Sequence, residues 1–157
     1  MSKTFIFSPD RDIWLEADDE ELAVQCRMDF FKAQGRGGQK RNKTSNAVRF
    51  THLSTNIAAD DCSSRSQHQN RSTALKKLRY QIALKVRSEQ ITPPTRLDVS
   101  LNNAEYPLFV ARLLDIILDK QFYLSDAAAA LEISTSKLIK ILQRDKVLWQ
   151  LIQKYRS

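Results

Sequence analysis

All three glycines of this 157-residue chain fall inside one five-residue stretch, Gly35-Arg36-Gly37-Gly38-Gln39. Glycine is the residue used where the backbone must take positive φ or approach a ligand closely. A chain that uses it nowhere else is not using it here as generic loop filler. Lys32, Arg36, Lys40, Arg41 and Lys43 flank the stretch. Residues 33–43 hold almost no apolar side chains, so they cannot pack into a core. The pattern predicts a protruding arm that offers its main chain and one glutamine to something polyanionic.

The length suits one ordinary domain, or a small domain with an appendage. An apolar content of 42% predicts at least one packed core. Charge is distributed unevenly. Residues 1–32 carry 4 basic and 8 acidic side chains, residues 33–90 carry 12 and 3, and residues 91–157 carry 9 and 7. The middle third is therefore the electrostatic footprint, and RNA, DNA or an anionic membrane are its natural partners. The two cysteines, Cys26 and Cys62, do not make a disulfide framework and fit a reducing compartment. Their spacing from His52 and His68 matches no zinc-ligand pattern, so no metal site is expected. The first residues resemble neither a secretory signal nor a transit peptide, and no segment reaches transmembrane length. The expectation is a cytoplasmic protein without membrane contact.

Periodicity divides the chain. Residues 3–7 read as a short strand or extended segment. Asp18 or Asp19 can cap a helix through Val24, and Arg27–Phe31 reads as a strand. Ala47–His52 alternates, with Val48, Phe50 and His52 on one face and Arg49 and Thr51 on the other. A turn at 54–56 and a return strand over 57–61 complete a hairpin. Ser63–Ser66 starts a helix whose apolar positions Leu75, Leu78, Ile82 and Val86 recur to about residue 88. Its other face carries Arg65, Arg71, Lys76, Lys77, Arg79 and Lys85. Pro93-Pro94 marks a linker. Four amphipathic helices are expected beyond it, over 107–120, 126–131, 137–144 and 147–155, with Ser125 and Ser134 or Thr135 as caps. The predicted class is α+β: a small sheet, a long basic helix and the glycine loop in residues 1–90, then an all-α region in 91–157.

From Gly35 the chain reads Gly-Arg-Gly-Gly-Gln-Lys-Arg-Asn-Lys-Thr-Ser-Asn-Ala-Val-Arg, and a second element reads Arg65-Ser66-Gln67-His68-Gln69-Asn70. No Walker-type Gly-Lys-Ser/Thr and no Gly-x-Gly-x-x-Gly fingerprint is present. The two elements, in this order and at about this spacing, resemble the peptidyl-tRNA hydrolase domain of class I peptide chain release factors. The resemblance covers roughly residues 22–88. It implies hydrolysis of the ester joining a nascent peptide to tRNA in the ribosomal peptidyl transferase centre, with ribosomal RNA and peptidyl-tRNA as partners and no cofactor. Gly37, Gly38 and Gln39 are then the catalytic residues. The Gln39 amide would stabilise the developing oxyanion, as a preorganised backbone N–H can. Its side chain would admit water and exclude larger nucleophiles. Arg36, Lys40, Arg41, Lys43, Arg49, Arg65 and Arg71 are the candidate RNA contacts.

The chain departs from the family after Gln39, where many members carry His-Val and this one has Lys40-Arg41. Members are often methylated at that glutamine, which makes Gln39 a modification candidate and a glutamine methyltransferase a partner. Full release factors are longer and read stop codons through separate domains. With about 30 residues before Gly35, the expectation is a monomeric, codon-independent hydrolase acting on stalled ribosomes. Short members of one group carry a disordered basic tail, whereas the last 60 residues here are amphipathic. Residues 126–144 resemble a helix-turn-helix. The alternatives are a non-catalytic RNA-binding module whose helical tail recruits a partner, and a DNA-binding regulator built on that tail.

Overall fold

The computed structural model describes residues 4–32 and 46–156. Gly37, Gly38 and Gln39, with Arg36, Lys40, Arg41 and Lys43, lie outside the described residues. In chain order the elements are β1 (Ile6–Phe7), α1 (Arg11–Glu16), α2 (Asp19–Val24), β2 (Cys26–Phe31), β3 (Ala47–His52), β4 (Ala58–Asp61), α3 (Gln67–Lys85), β5 (Val86–Arg87), α4 (Tyr106–Asp119), α5 (Leu124–Ala130), α6 (Thr135–Gln143) and α7 (Lys146–Arg156). This is the α+β class that the sequence predicts. Two compact units form, Ile13–Ile82 and Met1–Asp12 with Ala83–Ser157.

In the unit 13–82, Asp18 starts α2 through a capping box: its carboxylate accepts from Glu21 N at 2.8 Å and the Glu21 carboxylate from Asp18 N at 3.4 Å. Strands β2, β3 and β4 form an antiparallel sheet in that order. Val48 and Phe50 are fully buried, as are Ala74, Leu75, Leu78 and Ile82 of α3. Arg71 of α3 lies over the Phe50 ring and Lys77 pairs with Asp61 at 2.8 Å, so the helix crosses the buried face of the sheet. Only part of the expected alternation holds, because Thr51 is buried too. The β3–β4 turn places Asn56 at φ 59°, a conformation that asparagine tolerates better than most residues.

In the other unit, β1 runs parallel to β5, with Ile6 opposite Val86 and Phe7 opposite Arg87. Val86 is therefore a strand residue, not the last apolar position of α3. Helix α1, which periodicity missed, places Arg11 in a buried network. Arg11 Nη1 donates to Asp115 Oδ1 at 2.6 Å and to the Val86 carbonyl at 3.3 Å. Arg87 Nη1 lies 3.2 Å from the same Asp115 oxygen, and its guanidinium also donates to the carbonyls of Ala83 and Ala111. Burial pulls the Arg87 pKa down to about 9, with Asp115 pulling the other way. Arg87 thus stays charged at neutral pH. These bonds tie residues 4–12 to α4 and explain why they cluster with the C-terminal helices.

With no glycine in this unit, helix ends carry their left-handed turns on other residues. Ile133 N donates to Ala128 O at 3.0 Å and Glu132 N to Ala129 O at 3.1 Å, the Schellman pattern that usually has glycine in the place of Glu132. Glu132 has φ 60°. The end of α4 repeats the pattern through Gln121 and Phe122, at φ 55° and 64°. Helix α5 is capped at Tyr123 rather than Ser125, which lies inside its first turn. Ser134 caps α6, accepting from Lys137 N at 3.1 Å. Since the left-handed conformation costs a residue with a Cβ about 1 kcal/mol or more, Glu132→Gly is expected to raise stability by up to about 1 kcal/mol, read as a higher urea midpoint at unchanged slope.

Candidate functional site

The last residue of β2, Phe31, pairs directly with the first of β3, Ala47. The stretch carrying Gly35–Gln39 thus leaves and re-enters the sheet at adjoining strand ends. Asn46, immediately before β3, donates from Nδ2 to the Ser64 carbonyl at 2.9 Å. Asn70, fully buried in the second turn of α3, completes the junction. Its Nδ2 donates to the carbonyls of Asn46 and Ser64, both at 2.8 Å, and its Oδ1 accepts from Ser64 N at 2.8 Å. One carboxamide therefore joins the chain re-entering β3, the turn after β4 and the long helix. Ser66 caps that helix, its hydroxyl accepting from Gln69 N at 3.2 Å.

This explains the second sequence element. Within Arg65–Asn70, Ser66 starts the helix and Asn70 holds the base of the glycine-bearing stretch. Sequence reading noticed the element without assigning Asn70 a task. The signal was an asparagine four residues after a helix cap, where a solvent-facing residue would serve the helix better.

The described RNA candidates separate. Arg65 is exposed at the start of α3. Arg71 is held in a two-pronged pair with Glu20, at 3.0 and 3.3 Å, over the buried face of the sheet. Arg49, adjacent to Phe50 in β3, projects from the opposite face. It covers the Phe31 ring at 4.8 Å and pairs with Asp60 at 3.3 Å. Arg79, expected on the exposed basic face, instead bonds Asp19 at 2.7 Å and the Ala17 carbonyl at 2.9 Å. Burial would raise the Asp61 pKa, but hydrogen bonds from Lys77 and Ser63 outweigh it and hold the carboxyl below its usual range.

Cys26 and His52 are cross-strand partners. Burial pushes the Cys26 thiol up to about 11, so it stays protonated. His52 is buried edge-on to Trp14, 4.5 Å between ring centres, with Thr55 Oγ1 2.9 Å from Nδ1. Among the described residues no group of histidines, cysteines and carboxylates could hold a metal ion, and no helix is long and apolar enough to cross a membrane.

The RF-1 domain model matches residues 17–104, more than half of the chain and all of both sequence elements. The chain belongs to the RF-1 domain family. It is 47% identical over 81 residues to peptide chain release factor 1 of Albidiferax ferrireducens, covering 48% of this chain and 22% of that protein. It is 44% identical over 81 residues to peptide chain release factor 2 of Pseudothermotoga lettingae, with the same coverage, and 42% identical over 73 residues to that of Campylobacter fetus, covering 46% of this chain and 19% of that protein. The chain thus spans about a fifth of the length of these curated relatives. The resemblance seen in the sequence holds for this family.

Two outcomes follow from the junction and its neighbours. Asn70→Leu strands the Ser64 amide and the Asn46 carbonyl, so it is expected to lower stability by about 2–3 kcal/mol in urea unfolding. Burial lowers the pKa of His52 below its ordinary value. The unfolded chain therefore binds this proton first as pH falls through about 6.5, and the contribution of neutral His52 to stability, complete above that pH, is lost towards the lower folded value. Wild type is expected to melt lower at pH 5 than at pH 7.5, and His52→Gln to lose that part of the difference.

Proposed function

We propose that this protein hydrolyses peptidyl-tRNA in the ribosomal peptidyl transferase centre, with Gly37, Gly38 and Gln39 as the catalytic residues. The observation that carries this reading is the RF-1 domain match across the stretch holding both sequence elements. The Asn46–Asn70 junction supports it, because it fixes the point at which the glycine-bearing stretch returns to the sheet. The reaction needs little from side chains. The Gln39 amide is a donor for the oxyanion formed when water attacks the ester carbonyl, and glycines at 37 and 38 keep any Cβ away from the crowded RNA. Ribosomal RNA and peptidyl-tRNA are the proposed partners, a glutamine methyltransferase acting on Gln39 a third. Arg36, Lys40, Arg41, Lys43, Arg49, Arg65 and Arg71 are the proposed RNA contacts. Arg65 is the strongest of the described three, since Arg49 and Arg71 are each engaged by a carboxylate. Residues 1–90 act as the hydrolase segment and 91–157 as a helical appendage, in a monomer working in the cytoplasm.

The finer proposal is that release needs no stop codon and serves stalled ribosomes. It is favoured by the matched stretch, residues 17–104, which holds the Gly-Gly-Gln and by the resemblance carries ester hydrolysis, a step that needs no contact with a codon. Codon reading, by the family resemblance, belongs to other domains.

The test is discharge of formyl-methionyl-tRNA on purified 70S ribosomes carrying a stop codon, a sense codon or an empty A site. Wild type is expected to release formyl-methionine in all three states. Gly37→Ala, which displaces the Gln39 main-chain amide, is expected to lower the rate at least about a hundredfold, the usual cost of losing an oxyanion donor, and Gln39→Ala, which keeps that amide, to lower it through lost placement of the attacking water. Ribosome binding without release would instead support the non-catalytic module, and release at the stop codon alone would refute codon independence.

A further inference from the structure

Beyond the matched stretch, α5 and α6 form a helix pair closed by the Glu132 turn. A cleft of about 640 Å³ opens at the start of this pair, against the end of α7. Gln121, Tyr123, Ser125, Thr135, Ile139 and Arg156 line it. Its edge is built by the left-handed pair Gln121–Phe122. That turn buries Phe122 against Tyr155, at 5.3 Å between ring centres, and leaves Tyr123 64% exposed. A large aromatic ring stranded in solvent beside two hydroxyls and a guanidinium makes a surface that is apolar on one side and cationic on the other.

Helix α6 continues this surface. At about 100° per residue, its buried positions Leu138, Ile141 and Leu142 occupy one arc, and Thr135 and Ile139 the next, facing the cleft. The remaining arc carries Ser136, Gln143, Lys140, Arg144 and Lys137, all exposed. From Ile133 to Arg156 there are six basic residues and one acidic, Asp145. Asp145 is buried, accepting from the Tyr106 hydroxyl at 2.7 Å and from Leu148 N at 3.2 Å. The exposed arc of α6 thus presents cations with no carboxylate among them, while Asp126 and Glu132 lie ahead of it on α5 and the turn.

We propose that α5, α6 and the end of α7 form a second RNA-binding surface, which takes an unpaired nucleotide of a single-stranded segment. Its base stacks on Tyr123 at the cleft, and its flanking phosphates meet Arg156 on the cleft wall and Lys140 on the adjoining arc of α6. A recess beside an exposed ring suits a base turned out of a strand, since every base has a face to stack. Duplex DNA suits it poorly, because the N-terminal end of α6 offers no arginine, asparagine or glutamine for two-pronged base reading. This surface does not depend on hydrolysis and goes beyond the proposed activity.

Fluorescence anisotropy of the full chain with a short fluorescein-labelled oligouridylate, across a salt series, tests the proposal. Tyr123→Ala is expected to weaken binding about tenfold and Tyr123→Phe to leave it unchanged. Replacing Lys140 and Arg156 together by glutamine is expected to lower the salt slope by about 1.4, two phosphates at about 0.7 each, and the charge-keeping pair Lys140→Arg with Arg156→Lys to retain it. All three side chains are exposed, so the variants are expected to melt as wild type does. Gln39→Ala is expected to bind the oligonucleotide normally, so that loss of release and loss of this surface are read separately. Unchanged affinity and slope in both the Tyr123→Ala and the Lys140/Arg156 glutamine variants would overturn the proposal. Tighter binding to a duplex DNA of the same length than to oligouridylate would do so too.

Discussion

The Asn70 carboxamide is the interaction on which the candidate site depends. A buried amide without partners is costly, and this one is satisfied at three points by main chain from two separate segments. Those partners are the residue before β3 and the turn before α3, so the bond sets the register between sheet and helix. A stretch carrying glycines is useful only if its base is placed. Here the placement comes from a hydrogen-bond junction, with the apolar contacts of Phe50, Leu75 and Leu78 supplying the core beneath.

In the other unit a single carboxylate has a comparable task. Asp115 lies between Arg11 and Arg87, and also accepts from Ser88 N at 3.2 Å. Two buried guanidiniums around one carboxylate would repel each other without it. Arg11 answers with a second carboxylate, Asp12, at 2.6 Å, which Arg112 also approaches at 3.3 Å. Such a network contributes little net stability compared with an apolar core, but losing one member leaves a buried charge without a partner. It joins segments about a hundred residues apart in the chain.

The scarcity of glycine has consequences at both ends of the molecule's chemistry. Concentrated at 35–38, it marks the sequence element that carries the proposed chemistry. Its absence elsewhere forces Gln121, Phe122 and Glu132 into left-handed turns. At Gln121–Phe122 the turn also exposes Tyr123, the ring on which the proposed nucleotide contact rests.

The sequence by itself determined the family, the elements with strong local signals and the place of the Gly-Gly-Gln element in the chain. Capping at Asp18 and Ser134, the alternation of β3 and the periodicity of α3 and α4 are local patterns, readable because their period and cap chemistry do not depend on distant residues. Only the tertiary structure decided that Val86 leaves its helix for a strand, that residues 4–12 join the C-terminal helices, that Arg71 and Arg79 are held by α2, and that Asn70 is a junction. Each of these rests on a partner 24 or more residues away. A charge that reads as solvated from its neighbours in sequence is committed once the fold brings a carboxylate to it, and no local pattern records that encounter.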